Sequence, residues 1–182
     1  MPPDIRKPAS ELSSGLLVRV SLFAVLTAAG SYIIIPLPYS PVPVTLQNLF
    51  VMLSGVLIGG KAAFLSQCLY IIMGAAGLPV FAGGGSGIGY LLGPTGGFIA
   101  GFAAGALICG LLAERGRPFF GMFTGWAVIY AIGVPALGAV TGRTLIEAAA
   151  IGFLPFIPGD IIKFAAAAGI YRQLQSSGAI NR

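Results

Sequence analysis

Residues 95–113 read TGGFIAGFAAGALICGLLA, nineteen consecutive positions without a charge. Wound as an α-helix at about 1.5 Å per residue, the run is close in length to the roughly 30 Å hydrocarbon core of a bilayer. Gly93, Gly97, Gly101 and Gly105 recur at every fourth position through its start, and Gly121 and Gly125 repeat the spacing in the next apolar run. Small residues on one stripe let helix backbones approach closely inside a membrane, where water drives no association. The stretch therefore reads as a membrane helix packed on a neighbour in the same bundle, with dimerisation as the other use of the stripe.

Working outward, positions 20–60, 62–113 and 118–142 carry no charge at all, runs of 41, 52 and 25 residues. They hold two, two and one spans, and the C-terminal apolar stretch supplies a sixth. The expected helices are 16–35, 45–58, 61–76, 95–113, 118–137 and 158–174. The second and third are short and must tilt little or be shielded by neighbours. Between them lie breaks rich in proline and glycine: Pro36-Leu-Pro38-Tyr-Ser-Pro41-Val-Pro43, which cannot continue a helix, and a link from Gly77 through Gly83-Gly84-Gly85-Ser86-Gly87 to Gly93-Pro94. A third, from Gly142 to Gly159, has room for one short helix near 145–151. The expectation is an all-α integral membrane protein: a tail at 1–15, a six-helix membrane domain at 16–175 and a tail at 176–182.

Composition agrees. Of 182 residues, 57% are hydrophobic and 8% charged, with a mean hydropathy of +0.95; a soluble domain carries about 25% charged residues. A coiled coil, a disordered chain, a disulfide framework and collagen are excluded on the same grounds. The chain has no histidine, which removes imidazole catalysis and most zinc sites, and no metal is expected. Cys68 and Cys109 sit singly in apolar runs and read as small hydrophobes. The net charge of +5 comes from basic residues scattered between spans, which orient a membrane protein rather than bind nucleic acid. With six spans, Arg6, Lys7, Arg19, Lys61, Arg115, Arg117, Arg172 and Arg182 fall on one side and Arg143 on the other, with Lys163 set aside. Both termini are therefore expected in the cytoplasm. Asp4 and Glu11 argue against a cleaved signal peptide despite the small residues Ala28-Ala-Gly30.

The connections on the basic side are very short, and those on the other side are long and uncharged. Irregular backbone at membrane depth persists only where protein buries it or a cavity needs it, so a ligand site is expected on the external face. Gly55-Val-Leu-Ile-Gly-Gly60-Lys61 matches part of a phosphate-binding loop, but Ala62 stands where the magnesium-binding hydroxyl belongs. The glycines from Gly83 to Gly89 lack a dinucleotide register and offer instead open backbone N–H and C=O groups.

The informative charged pair is in Pro155-Phe-Ile-Pro158-Gly-Asp160-Ile-Ile-Lys163. Pro158 suits a first helical turn, Asp160 then faces the positive end of the dipole, and Lys163 lies three residues on, on the same face. The pair is either a helix-start ion pair or two groups that face an external cavity. Arg143 and Glu147 form an i,i+4 pair on the loop helix and read as structural. Thr45, Gln47 and Asn48 open the second span on the external side, and Gln67 lies within the third; these groups either cross-link helices or meet a ligand. Tyr39, Phe81 and Tyr90 sit at the same level, as an interfacial belt or a pocket wall. Ala24 and Ala28 make a small-residue pair in the first helix, for internal packing or for docking.

At these residues the chain resembles the BioY family, the biotin-binding S components of energy-coupling factor (ECF) transporters. The segments that carry the resemblance are Pro41-Val-Pro-Val-Thr-Leu-Gln47, Gly77-Leu-Pro-Val-Phe81 with the glycine run and Gly93-Pro-Thr-Gly-Gly97, and Phe156-Ile-Pro-Gly-Asp160-Ile-Ile-Lys163. It implies an S-component-like bundle of six transmembrane helices with an external substrate pocket, in the plasma membrane of a prokaryote. Asp160 and Lys163 would be polar ligand contacts, with Thr45, Gln47, Phe81 and Tyr90 beside them, and the loop at Gly84, Gly85 and Ser86 would close over the ligand. Some relatives place an asparagine in that loop and an arginine after the Gly-Gly pair; here those neighbourhoods read Gly85-Ser86 and Phe98-Ile99. Ala24 and Ala28 would dock a transmembrane T component. Biotin's ureido ring offers two N–H donors and a carbonyl, and its tail a carboxylate, so Asp160 suits the N–H groups and Lys163 either acceptor. With no catalytic constellation and no ATP-hydrolysing motif, the expectation is a non-enzyme without cofactor, for which biotin is substrate. Energised uptake would need the T component and two cytoplasmic ATPases. A self-sufficient facilitator or secondary transporter of biotin or another small vitamin is the alternative.

Overall fold

The computed structural model describes residues 14–178. The tail residues 1–13 and 179–182, with Arg6, Lys7 and Arg182 of the charge bias, lie outside them. The described chain is mostly helical: α1 (Ser14–Gly30), α2 (Gln47–Ile58), α3 (Gly60–Ala75), α4 (Ile88–Leu91), α5 (Gly96–Glu114), α6 (Pro118–Thr141), α7 (Leu145–Gly152) and α8 (Ile157–Ser176). Three stretches are long and apolar enough to cross a membrane, namely Gly96–Glu114, Pro118–Thr141 and Leu145–Ser176, and Ser14–Gly30 and Gln47–Ile58 are shorter apolar helices.

α5 and α6 share the most extensive interface, and the glycine stripe is its cause. A methyl group on Gly97 would come within 2.2 Å of Ala136, one on Gly101 within 3.0 Å of the Ile129 backbone, and one on Gly105 within 2.7 Å of the Gly125 carbonyl. The stripe is used within the bundle. α2 has only 12 residues, about 18 Å of helix, yet ten of them are buried because α1, α3, α5, α6 and α8 surround it. α2 is thus shielded by its neighbours, one of the two expected remedies.

Two spans differ from expectation. α1 stops at Gly30, not at residue 35, because the chain turns to lay Ile34–Ile35 (β1) antiparallel to Val44–Thr45 (β2), with Ile34 opposite Thr45. Gly30 lets this entry pack closely: a methyl group there would meet Phe50 at 2.9 Å and the Gln47 amide at 3.1 Å. α6 runs past the expected residue 137 to Thr141, through Pro135, and ends on Gly142 in the left-handed conformation. The loop helix expected near 145–151 is α7, opened by a reciprocal cap in which Thr144 and Glu147 exchange side-chain and backbone hydrogen bonds. Glu147 is thus a capping residue, as its structural reading implies. α4 was not legible in the glycine link.

One end of the bundle is drawn tight. Glu114 at the end of α5 accepts the Gly60 N–H at 2.9 Å, placing a carboxylate on the first turn of α3. Arg172 of α8 lies 4.9 Å over the Phe119 ring at the start of α6. Arg19, Lys61, Arg115, Arg117 and Arg172 are all exposed. At the opposite end lie the ribbon and the glycine link, which is held by Gly87 N–H to the Gly74 carbonyl (2.7 Å) and by Phe81 N–H to the Gly85 carbonyl (2.9 Å).

A cavity beside a buried ion pair

The cavity at the loop end is walled by Val42, Pro43 and Thr45 of the proline segment, Gln47 and Asn48 of α2, and Ala82, Tyr90 and Thr95 of the link. Phe98, Ile99 and Phe102 of α5, Tyr130 of α6, and Phe156 and Lys163 close it. The cavity is small, about 40 Å³. Lys163 pairs with Asp160 at 2.5 Å, the one ion pair among the described residues. The two are 5% and 3% exposed, and a pair this dry needs further hydrogen bonds to be stable; several are present, although Asp160 Oδ1 accepts no hydrogen bond. Lys163 Nζ donates to the Thr45 carbonyl at 3.0 Å; Asp160 Oδ2 accepts from Trp126 Nε1 at 2.9 Å and from the Tyr130 hydroxyl. The pair thereby ties α8 to the ribbon on one side and to α6 on the other.

Of the residues anticipated at the site, Thr45, Gln47, Tyr90 and Lys163 line the cavity. Thr45 donates its hydroxyl to Gln47 Oε1 at 3.2 Å, and Gln47 Nε2 donates to Tyr70. Phe81 is wholly buried, stacked under Tyr90 at 5.1 Å and edge-on to Tyr70 at 5.5 Å. It supports the wall without forming it, in space that Gly74 leaves by having no side chain. From the glycine loop Ala82 reaches the cavity, whereas Gly84, Gly85 and Ser86 do not line it. Tyr90 covers Gly85, where any side chain would strike its ring at 2.2 Å. Asp160 is placed beside the cavity but off its wall; it faces a wider flank groove of about 220 Å³ with Phe123, Trp126, Ile157, Ile161 and Phe164. That groove is larger but almost wholly apolar, so the convergent polar groups favour the smaller cavity as the ligand site.

Ala24 is fully buried and Ala28 is 8% exposed, on a helix that packs against α2 and α3; the exposed side of α1 carries Val18, Leu22 and Val25. Gln67 Nε2 of α3 donates to Thr27 Oγ1 of α1 at 3.3 Å. Sequence reasoning passed over Tyr130 and Trp126, one turn apart on α6. The signal was available: a buried carboxylate needs donors, and the chain's one tryptophan with a tyrosine four residues on supplies two.

These features define a mostly helical protein with membrane-crossing segments and a cavity at its loop end, where Thr45, Gln47 and Lys163 stand among aromatic and aliphatic side chains. Among the described residues no cluster of metal-ligating side chains occurs. The family model described as "BioY family" matches residues 6–179. The chain belongs to the BioY family. It is 46% identical over 127 residues to a probable biotin transporter BioY of Lysinibacillus sphaericus, covering 66% of this chain and 63% of that one. It is 43% identical over 122 residues to the biotin transporter BioY of Thermotoga maritima, covering 65% and 71%. The fold superposes on the crystal structure of an S-component for biotin from an ECF-type ABC transporter with a TM-score of 0.81 at 26% identity, over 92% of this chain and 95% of that one. The match thus spans just under two thirds of the Lysinibacillus relative and nearly all of the solved S-component.

Proposed function

We propose that this chain captures biotin from the external side of a prokaryotic plasma membrane and delivers it inward as the S component of an ECF-type transporter. The observation that carries the reading is the buried Lys163–Asp160 pair at the edge of a cavity walled by aromatic rings, in a chain of this family. Lys163 has three N–H donors; Asp160 and the Thr45 carbonyl take two, leaving one for an acceptor on the ligand. Phe98, Phe102, Tyr90 and Phe156 suit the thioether ring and the tail. The cavity is smaller than biotin, so in this reading its wall must open to admit the ligand. A charge-assisted hydrogen bond contributes roughly 1.5–3 kcal/mol, and with apolar burial nanomolar affinity, about −12 kcal/mol, is expected. Titrating biotin into the purified chain tests this; no heat or saturation at micromolar biotin refutes it.

In this reading all six long helices cross the bilayer, with both termini cytoplasmic and the cavity external. The uptake step needs a T component and two cytoplasmic ATPases. A facilitator working alone is the rival, and biotin accumulation in vesicles holding only this chain would favour it. Topology is testable in a variant with Cys68 and Cys109 replaced. A cysteine at Ser40 or at the exposed Ser86 should react with an impermeant maleimide on intact cells, and one at Arg115, exposed at the basic end, only after permeabilisation. Labelling at 115 in sealed cells would invert the orientation.

A further inference from the structure

We propose that Asn48 and Thr95, at the starts of α2 and α5, form the subsite that holds the ligand's carboxylate; the inference rests on the biotin reading above. Both residues line the cavity. The neighbouring Gln47 spends its amide on Thr45 and Tyr70. Asn48 is only 9% exposed, yet its side-chain amide makes no hydrogen bond among the described residues, and what exposure it has is to the cavity. A polar group buried to that degree normally has a partner, so this one points to a ligand. Neither helix start is capped from within. Leu46 and Thr95 supply no side-chain cap, and the N–H groups of Gln47, Asn48, Gly97 and Phe98 meet no acceptor among the described residues. Helices of 12 and 19 residues thus bring two positive dipole ends to one cavity, where an anion is favoured. Asn48 adds two N–H donors and Thr95 one O–H donor, which suits a group that only accepts. The ion pair attracts a second carboxylate less well. Lys163 is the one cation on the cavity wall and already lies 2.5 Å from Asp160, so an anion drawn to it also meets the charge of Asp160. A ligand whose carboxyl is blocked as an amide forfeits the charge that the two helix starts favour. The subsite therefore makes this chain select the free acid over neutral derivatives of the same ring.

The test is calorimetric titration of the full chain with biotin and with biotin amide, read as the ratio of the two dissociation constants, which a general loss of stability does not move. On the wild type the acid should bind at least about tenfold tighter than the amide, the difference made by hydrogen bonds to a charged group. Asn48→Asp keeps the shape of the side chain and suits the first turn of a helix, but it sets a like charge against the ligand's carboxylate. The preference for the acid should fall at least about tenfold in it. Thr95→Val keeps the shape, breaks no hydrogen bond of the fold, and should lower the preference about threefold or more, the value of one hydroxyl donor. Equal binding of acid and amide by the wild type overturns the inference, and so does a preference that Asn48→Asp leaves within twofold of wild type. If Asn48→Asp does not fold, Thr95→Val decides, and an unchanged preference in it is fatal. A preference lost in Lys163→Met but kept in both other variants would put the carboxylate at the ion pair and overturn the inference as well. A wild type that binds neither ligand would instead overturn the functional reading on which the inference rests.

Discussion

Lys163→Met is expected to weaken both the fold and the site, and adding Asp160→Asn is expected to restore only the fold. Methionine keeps the length of the lysine stem but leaves Asp160 as an uncompensated charge, 3% exposed. Breaking a buried pair by removing one partner costs about 3–5 kcal/mol, a large fraction of the roughly 5–15 kcal/mol by which domains are stable. Trp126 and Tyr130 still donate to Oδ2 and keep the loss toward the lower end. In the double variant no net charge remains buried, and the asparagine oxygen can still accept from α6, so thermal melting in detergent should return most of the way. Binding should not return. The donor that Lys163 presents to the cavity is gone in both variants, at a cost of about 1.5–3 kcal/mol, roughly 10- to 150-fold in Kd. Asp160→Asn alone is the third corner of the cycle. It leaves Lys163 buried without its counter-charge and should lose affinity by a similar factor. If the double variant regained biotin affinity along with stability, the pair would be a structural strut and the ligand would be held elsewhere.

How much of this was written in the sequence depends on the range of the interaction. Charge-free run lengths placed α2, α3 and α5 to within two residues, because the cost of a charge in hydrocarbon acts locally along the chain. The end of α1 was missed by five residues. Ile33, Ile34 and Ile35 continue an apolar run, and only the partner strand ten residues on, at Val44–Thr45, diverts them from helix. The expected end of α6 at residue 137 fell four residues short: the helix continues through Pro135 to Thr141, since one lost backbone bond does not outweigh packing along α5. Within the site, Asp160 and Lys163 were legible as a pair from their spacing. Their partners were not: Trp126 lies 34 residues away and Thr45 118 residues away, and no local periodicity encodes such distances. The glycine loop was recognised as special, but which of its residues reaches the cavity depends on Phe81 and Tyr90 stacking across it. That is a tertiary fact.

Ala24→Trp combined with Ala28→Trp is expected to disrupt the bundle itself and not merely a docking step. On a lone helix the two alanines look like a free stripe of small residues, and bulk added there would clash only with a partner. In the fold Ala24 has no exposure; α1 lies on α3 and α2, with Ala63 of α3 equally buried. Inserting extra methylenes into a packed core costs typically 1–3 kcal/mol. An indole in place of a methyl exceeds that range, so about 3 kcal/mol or more per site is expected, enough together to abolish the folded state or to push α1 away from α3. The loss should appear in melting temperature and biotin binding before any partner is added. Val25→Trp supplies the contrast. Val25 is 57% exposed on the outer side of the same turn, and a substitution there should change stability by no more than about 0.5 kcal/mol. If an exposed side of α1 meets the T component, Val25→Trp is the variant that keeps nanomolar biotin binding and loses assembly. The opposite pattern, with the double alanine variant folded, binding biotin and failing only to assemble, would require α1 to part from α3 when the transporter forms. The small residues would then serve both interfaces in turn.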